Sequence, residues 1–298
     1  MDMLTLSHVA KSFGEKEVLK DVSFSVPENT VFGFVGQNGA GKTTSMKLIL
    51  GLLSCDQGEI TVNHMPVRYG DTKTNRFIGY LPDVPEFYSY MTPIEYLTFC
   101  GEISGMPSAE IKGRREELLK LVGLADEKRR VRGFSRGMKQ RLGIAQALLN
   151  RPKLLICDEP TSALDPAGRK EILDILVAAK EQTTILFSTH ILSDVEHICD
   201  RLAFLHDGKI ALQGTLEEVR KVRRDAAVEL EMEHSQDVSV LMSAFPALKA
   251  LGENRILLEE TDQLYDILRL IADRKLSILR MEQREPTLED LFMEVIGK

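Results

Sequence analysis

An α/β fold in two parts is predicted for this 298-residue sequence by three observations. A short, nearly all-apolar run at 31–35 enters a glycine-rich segment and is followed by helical spacing, which is typical of a buried central strand. The pattern is helical from 92 to about 150, between stretches with the character of strands. A charged stretch at 217–225 then precedes a shorter series of strands and helices. We therefore expect a large α/β unit with an inserted helical subdomain, and a small C-terminal α+β unit.

The composition is that of an ordinary globular protein and argues against several classes of function. Hydrophobic residues make up 43% of the chain and charged residues 28%. The net charge of −7 gives no support for binding to nucleic acid. The four cysteines are scattered without a C-x-x-C pair, so we expect reduced thiols rather than disulfides or a zinc site. No apolar run approaches the ~18 residues of a membrane helix, and the N-terminus lacks the layout of a signal peptide.

The first predicted elements are strands. Apolar and polar residues alternate at 4–13 and at 18–26, as in half-buried antiparallel strands, and these two stretches predict an antiparallel β subdomain. The elements that follow are the buried strand at 31–35, a helix at 43–53 interrupted by Gly51, and strands at 60–62 and 77–81.

The helical region opens with a strong start signal, because Thr92-Pro93-Ile94-Glu95 is a capping box with proline at the first helical position. We place the inserted helical subdomain at about 87–150. Beyond it the predicted elements are a strand at 154–157, a helix at 168–180, a strand at 184–188, a helix at 192–199, and a hairpin of strands 202–205 and 209–212 about Asp207-Gly208.

The charged stretch at 217–225 marks the predicted boundary between a domain at 1–218 and a domain at 225–298. The elements predicted for the second domain are a strand at 227–232, a helix at 238–245, a strand at 255–259, a helix at 262–273, a strand at 277–282 and a final helix from Leu288. This order favours a ferredoxin-like arrangement.

The glycine-rich segment matches a phosphate-binding motif. Gly36-Gln37-Asn38-Gly39-Ala40-Gly41-Lys42-Thr43 follows the pattern G-x-x-x-x-G-K-[ST] of the P-loop, between a buried strand and a helix. Backbone N–H groups of such a loop converge on phosphate oxygens, and the helix N-terminus favours negative charge. We expect Lys42 to reach the β- and γ-phosphates and the Thr43 hydroxyl to coordinate Mg²⁺. The predicted nucleotide-binding residues of the loop are Gly36, Gln37, Asn38, Gly39, Ala40, Gly41, Lys42, Thr43 and Thr44.

A second apolar strand, at 154–157, ends in two carboxylates, Asp158 and Glu159. Asp158 is placed to hold the hydration shell of Mg²⁺. Glu159 is the candidate general base that polarises the attacking water. By itself the pair could be a junction between a strand and a turn, and it is the P-loop that favours the catalytic interpretation.

Further segments form an ordered set with these two motifs. They are Lys11-Ser12-Phe13-Gly14 near the start, Phe134-Ser135-Arg136-Gly137-Met138-Lys139-Gln140-Arg141 before the acidic strand, Ser162-Ala163-Leu164-Asp165 after it, and Ser188-Thr189-His190. The set resembles the ordered motifs of ATP-binding cassette (ABC) ATPases, including their signature sequence, their D-loop and their switch histidine. The resemblance covers residues 1 to about 215 and implies a P-loop NTPase core, MgATP as the ligand, and ATP hydrolysis as the activity.

The resemblance also implies roles for individual side chains. Two cassettes face each other head to tail and enclose two ATP molecules, so that Ser135 and Gly137 of one contact the γ-phosphate held by the other. His190 holds the γ-phosphate and the attacking water and counts as catalytic, together with Glu159 and Lys42. Phe13 stacks on the adenine of ATP.

Three positions depart from the family pattern. Arg136 replaces the first glycine of the signature, and Met138 replaces its final glutamine. Asp83 stands where the family has a glutamine that touches Mg²⁺ and senses the membrane partner. A carboxylate can also bind Mg²⁺, so Asp83 joins Thr43 and Asp158 as a predicted metal neighbour.

The partners are implied by the resemblance as well. A single cassette without membrane helices implies separate transmembrane permease subunits and a second nucleotide-binding domain, in a homodimer or with a related cassette. The tail Glu285–Phe292 resembles the ending of bacterial exporter-type ATPases, although a well-capped terminal helix would give the same pattern. We therefore expect a cytoplasmic protein, peripheral at the inner face of the cell membrane, that couples ATP-driven dimerisation to export. No nucleic-acid partner is expected.

Other interpretations stay open in the sequence. A translation factor of the same family usually carries two cassettes and a charged linker, and a DNA-repair ATPase carries long coiled coils. This sequence shows neither feature, and its acidic balance argues against both. A regulatory module would bind ATP but barely hydrolyse it. The intact Lys42, Asp158, Glu159 and His190 argue against the regulatory module. The apolar residues at 87–91 have two interpretations, since they could receive a helix of the permease or pack within the helical subdomain.

Overall fold

The computed structural model describes residues 1–71, 73–221, 227–258, 261–284 and 287–296. The chain divides into two compact units, Met1–Leu216 and Glu217–Lys298. The predicted charged boundary and the predicted tail motif lie partly outside the described residues.

The first unit contains both strands and helices. Its elements are β1 Asp2–Phe13, β2 Lys16–Pro27, β3 Val31–Gly36, α1 Lys42–Ile49, β4 Gln57–Val62, β5 Met65–Pro66, β6 Ile78–Leu81, α2 Pro93–Ile103, α3 Ser108–Leu121, α4 Arg136–Leu148, β7 Leu154–Asp158, α5 Pro166–Ala179, β8 Thr184–Thr189, α6 Leu192–Ile198, β9 Arg201–His206 and β10 Lys209–Thr215. Helix α7, Leu216–Arg220, spans the boundary between the units.

A six-stranded sheet forms the centre of the first unit, in the order β10-β9-β3-β8-β7-β6. All neighbouring strands in it are parallel except the hairpin pair β9 and β10. The residues of β3, β7 and β8 are buried, as expected of central strands covered on both faces. The carboxyl ends of parallel strands meet at one edge of the sheet, so the loops after β3, β6, β7 and β8 lie together there.

The predicted antiparallel β subdomain is present as a second sheet, in the order β2-β1-β4-β5. One hydrophobic core joins it to the central sheet. Within that core Phe24 of β2 stacks on Phe32 and Phe34 of β3, with ring centroids 5.5 and 5.1 Å apart. The antiparallel sheet therefore packs through Phe24 against β3, the strand that leads into the P-loop.

The helical subdomain is inserted between β6 and β7, as predicted, and comprises α2, α3 and α4. Its capping box is confirmed, because the backbone N–H of Thr92 donates to Glu95 Oε2 at 2.8 Å and the Glu95 N–H donates back to Thr92 Oγ1. The prediction for the helix after the P-loop is wrong at its end. Helix α1 stops at Ile49 because Gly51 adopts a left-handed backbone, with φ of 68°.

The second unit has its own sheet and core. Its elements are β11 Ala227–Met232, α8 Ser235–Ala244, β12 Lys249–Ala250, β13 Arg255–Leu258, α9 Leu264–Arg274, β14 Ile278–Arg284 and α10 Leu288–Ile296. The antiparallel strand order β12-β13-β11-β14 with the connection βαββαβ is the ferredoxin-like arrangement, which confirms that prediction. The short strand β12 was not predicted.

Candidate active site

The P-loop joins the end of β3 to the start of α1 in a conformation that requires glycine. Gly41 has φ of 112°, and a Cβ there would lie 2.7 Å from Leu19 Cδ2. A Cβ on Gly36 would lie 2.6 Å from the carbonyl oxygen of Leu205. Both positions are closed to larger residues, so the glycines predicted from the motif are needed by the backbone itself.

Lys42 extends its charged group under the loop. Its side chain is 5% exposed, and Nζ donates to the carbonyl oxygens of Gly36 at 2.6 Å and Gln37 at 3.0 Å. Nζ also lies 3.0 Å from Oε1 of Glu159. The P-loop lysine and the acidic end of β7 are therefore in direct contact.

Asp158 is held by two hydroxyl groups. Thr43 Oγ1 donates to Oδ2 at 2.8 Å, and Ser188 Oγ donates to Oδ1 at 2.7 Å. The Asp158 side chain is buried. The Thr43 hydroxyl and the Asp158 carboxylate are hard oxygen donors of the kind that Mg²⁺ prefers, so these residues fit the ion that the P-loop implies.

Glu159 has an unusual backbone and two polar partners for its side chain. Its φ is 49°, and its N–H donates to Ser188 Oγ at 3.0 Å and to the Ser188 carbonyl at 3.2 Å. Its Oε2 lies 2.7 Å from Nδ1 of His190. A left-handed conformation is uncommon outside glycine and concentrates at functional sites. Lys42, Glu159 and His190 thus form one continuous row of polar contacts.

A cleft of about 600 Å³ opens beside this row. The residues that line it are Phe13, Lys16, Val18, Asn38, Gly39, Gly41, Lys42, Thr43, Thr44, Asp83 and Glu159. Phe13 is 49% exposed, with the Nζ of Lys11 located 5.5 Å from its ring centroid. The structure therefore brings the predicted aromatic residue to the same cleft as the P-loop.

The signature segment forms the start of helix α4. Ser135 is the N-cap of α4 and accepts a hydrogen bond from the N–H of Met138 at 3.2 Å. Neither Ser135 nor Gly137 is among the described residues that line the cleft. Within one chain, these two predicted nucleotide-binding residues are not brought to the P-loop.

Asp83 both lines the cleft and contacts other loops. Its Oδ1 accepts from Ser162 Oγ at 2.5 Å and from Arg136 Nη2 at 3.2 Å. Its carbonyl oxygen accepts from Gln140 Nε2 at 2.6 Å. The predicted metal neighbour is therefore also the counter-ion of an arginine in the signature.

Burial changes the acidity of two groups beside the carboxylates. Burial raises the pKa of Tyr80, on β6, to about 12, and the nearby charge of Asp158 acts in the same direction. Burial and the neighbouring Asp158 also raise the pKa of the Cys157 thiol. Both groups stay protonated at neutral pH, so neither competes with Glu159 as a base.

The apolar segment after Asp83 packs in part against helix α2 of the helical subdomain, as one of its two interpretations predicts. Phe87 packs edge-on against Tyr96 and Tyr88 against Phe99, at centroid distances of 5.0 and 5.4 Å. Outward-facing side chains nevertheless remain along the same stretch of chain. The large hydrophobic side chains exposed by 40% or more are Val84, Tyr88, Tyr90 and Ile94.

Sequence reasoning missed residues that support the site. Ser188 binds both Asp158 and the Glu159 backbone, and its position directly before Thr189-His190 was a usable signal. Lys16 and Val18 line the cleft from β2. Both follow Phe13 closely in the sequence, but neither belongs to a motif, so their place at the cleft was not predicted.

Comparison with known families gives two matches along the chain. Residues 19–162 match a family model described as ABC transporter. Residues 214–296 match a model described as the C-terminal domain of ATP-binding proteins like DrrA1-3. Among the residues that the structure describes, no helix combines the length and apolar character needed to cross a membrane.

Individual relatives cover nearly the whole chain. An uncharacterised ABC transporter ATP-binding protein of Bacillus subtilis, YxlF, is 39% identical over 99% of both chains. The bacitracin transport ATP-binding protein BcrA of Bacillus licheniformis is 32% identical over 99% of this chain and 97% of its own length. A solved structure of the ATP-binding subunit of an ABC transporter is 34% identical, with a TM-score of 0.66, over 74% of this chain and 92% of its own.

Proposed function

Because the chain belongs to the ATP-binding proteins of ABC transporters, which hydrolyse ATP, we propose that its cleft binds MgATP and that two copies enclose two ATP molecules. The observation that carries the proposal is the row of contacts from Lys42 through Glu159 to His190. In this row an ammonium group, a carboxylate and an imidazole lie next to one another beside the P-loop.

Each group of the site has a chemical role in the proposed reaction. Lys42 and the loop amides hold the β- and γ-phosphates, and Phe13 stacks on the adenine. Thr43 and Asp158 hold Mg²⁺, which supplies positive charge to the phosphates when bound. Glu159 accepts the proton of the attacking water. His190, in contact with Glu159, orients the water and the γ-phosphate.

The second copy completes the site. Ser135 lies at the N-terminus of α4, where a hydroxyl and backbone N–H groups suit a phosphate. Since Ser135 and Gly137 do not line the cleft of their own chain, we place them on the γ-phosphate bound by the other copy. That copy is identical or a related cassette.

The membrane partner binds the outward side chains of the segment after Asp83. Val84 and Tyr90 are more than half exposed, although apolar or aromatic, which is typical of a surface that receives another protein. A separate permease in this position would bring the chain to the inner face of the membrane. Transport of bacitracin by the relative BcrA and the resemblance of the tail to exporter ATPases support export.

The substitution Glu159→Gln tests this function. Glutamine keeps the size of the side chain but cannot accept the proton of water, so hydrolysis should fall by about 10²–10⁴-fold. ATP binding should survive, because Lys42, Thr43 and Asp158 remain. Bound ATP then favours the dimer by mass action, and size-exclusion chromatography should show a dimer only with MgATP.

The matched control is Glu116→Gln, an exposed position on α3, which should hydrolyse ATP at the wild-type rate. A Glu159→Gln protein that also hydrolyses ATP at the wild-type rate would remove Glu159 from the catalytic role, whatever its oligomeric state.

A further inference from the structure

Three loops of the cassette meet at the carboxylate of Asp83. Ser162 Oγ donates to Oδ1 at 2.5 Å, and Arg136 Nη2 donates to the same oxygen at 3.2 Å. Arg136 Nη2 also lies 3.2 Å from Ser162 Oγ. The contacts close a triangle between the loop after β6, the signature segment and the loop after β7.

Helix α4 holds Asp83 at a second point. The side-chain amide of Gln140 is fully buried and donates from Nε2 to the carbonyl oxygen of Asp83 at 2.6 Å. Residues 136 and 140 are four apart in the helix and therefore lie on one face of it. One face of α4 thus holds both the backbone and the side chain of Asp83.

The two partners are the two charged departures from the family pattern. A glycine at 136 has no side chain that could reach residue 83. A glutamine at 83 would offer no negative charge to an arginine at 136. The carboxylate and the guanidinium are complementary in charge, and the distance between them is that of a hydrogen bond. The arginine at 136 therefore accounts for the carboxylate at 83, and the carboxylate accounts for the arginine.

We propose that Arg136 is a positioning residue for ATP hydrolysis, acting through its ion pair with Asp83. The pair, closed by Ser162, sets where the signature Ser135 stands relative to the nucleotide cleft that Asp83 lines. The inference rests on the proposed function, in which Ser135 completes the ATP site of a second copy. In this proposal the main role of Asp83 is to form the ion pair with Arg136, and its role as a neighbour of Mg²⁺ is secondary.

The pair is expected to matter for turnover rather than for folding. The side chains of Arg136 and Asp83 are 43% and 47% exposed, so solvent and salt screen their attraction. Arg151 and Glu110 form an ion pair of similar exposure, 59% and 41%, away from the cleft. It offers a matched control for the loss of one surface charge pair.

The test is a double-mutant cycle in the full chain, with Asp83→Asn, Arg136→Gln and the two combined. Each single change should lower kcat by about three- to tenfold and leave the KM for ATP within about twofold. The double variant should be no more than about twofold worse than the more affected single variant, because the second change removes a partner already lost. Arg136→Lys, which keeps the charge, should recover part of the loss.

Two controls separate a specific effect on hydrolysis from the loss of a surface charge and from loss of stability. Glu110→Gln and Arg151→Gln should leave kcat unchanged, and thermal midpoints of all variants should match the wild type. The inference is overturned if the two single effects multiply in the double variant. It is also overturned if Asp83→Asn raises the Mg²⁺ requirement while Arg136→Gln has no effect, since Asp83 would then be a metal ligand alone. If Glu159→Gln hydrolyses ATP at the wild-type rate, the proposed function fails as well. If Glu159→Gln is inactive but the effects of Asp83→Asn and Arg136→Gln on kcat multiply in the double variant, only the role of Arg136 is overturned.

Discussion

Lys42 shows how one residue can be placed for a ligand rather than for packing. The Lys42 side chain is 5% exposed, so its buried charge needs polar partners, and two carbonyl oxygens and the Glu159 carboxylate provide them. These partners are all at the phosphate loop or the acidic strand end. The charge is thus held where the β- and γ-phosphates of ATP would lie.

We expect Lys42→Ala to lower ATP hydrolysis by about 100-fold or more, because a preorganised positive charge on the phosphates is lost. Steady-state hydrolysis and the binding of a fluorescent ATP analogue are the measurements. Lys47→Ala, an exposed position on the same helix, is the control and should behave as wild type. Unchanged affinity and turnover in Lys42→Ala would exclude the P-loop from catalysis.

At the scale of elements, the site is built from loops that follow parallel strands. The P-loop follows β3, Asp83 follows β6, the carboxylates end β7, and His190 follows β8. The strand order β3-β8-β7-β6 makes these loops neighbours at one edge of the central sheet. The loop after β6 also continues into the exposed residues proposed to bind the permease. ATP hydrolysis and permease binding therefore depend on the same loop.

The exposed part of that element should be required for the membrane partner but not for hydrolysis by the isolated subunit. Tyr90→Asp places a charge on a side chain that is 60% exposed and should abolish co-purification of the permease from a detergent extract. Tyr69→Asp, at a site 69% exposed, is the control and should retain the permease. Equal recovery of the permease with both variants would contradict the proposed surface.

For the whole molecule, the two units have separate hydrophobic cores. The core of the second unit consists of Val228, Leu230, Met232, Val238, Leu241, Leu248, Ile256, Leu258, Ile267 and Ile271. The nucleotide motifs all lie in the first unit. We propose that residues from about 225 onward form an accessory domain that adjusts assembly rather than chemistry.

A chain truncated after Arg224 should therefore remain folded and bind ATP. A cooperative thermal transition followed by circular dichroism tests the fold, and binding of an ATP analogue tests the site. Hydrolysis per dimer should be retained, while the concentration at which the dimer forms should shift. An unfolded truncated chain would show that the boundary is wrong.

The sequence by itself determined the features that depend on short segments. The P-loop, the capping box at Thr92 and the hairpin turn at Asp207-Gly208 were all predicted and are present. Each follows from a local requirement, such as left-handed backbone at Gly41 or a cap hydrogen bond within one helical turn. The order of the apolar strands and helices determined the fold class in the same way.

Only the tertiary structure decided which distant side chains meet. Arg136 and Asp83 are 53 positions apart, and Ser188 reaches Asp158 across 30 positions. These contacts exist because the strand order of the central sheet and the packing of α4 bring their loops together. Hydrogen bonds of about 3 Å depend on that arrangement to within an ångström, and no periodicity or spacing along the chain encodes distances between loops at this precision.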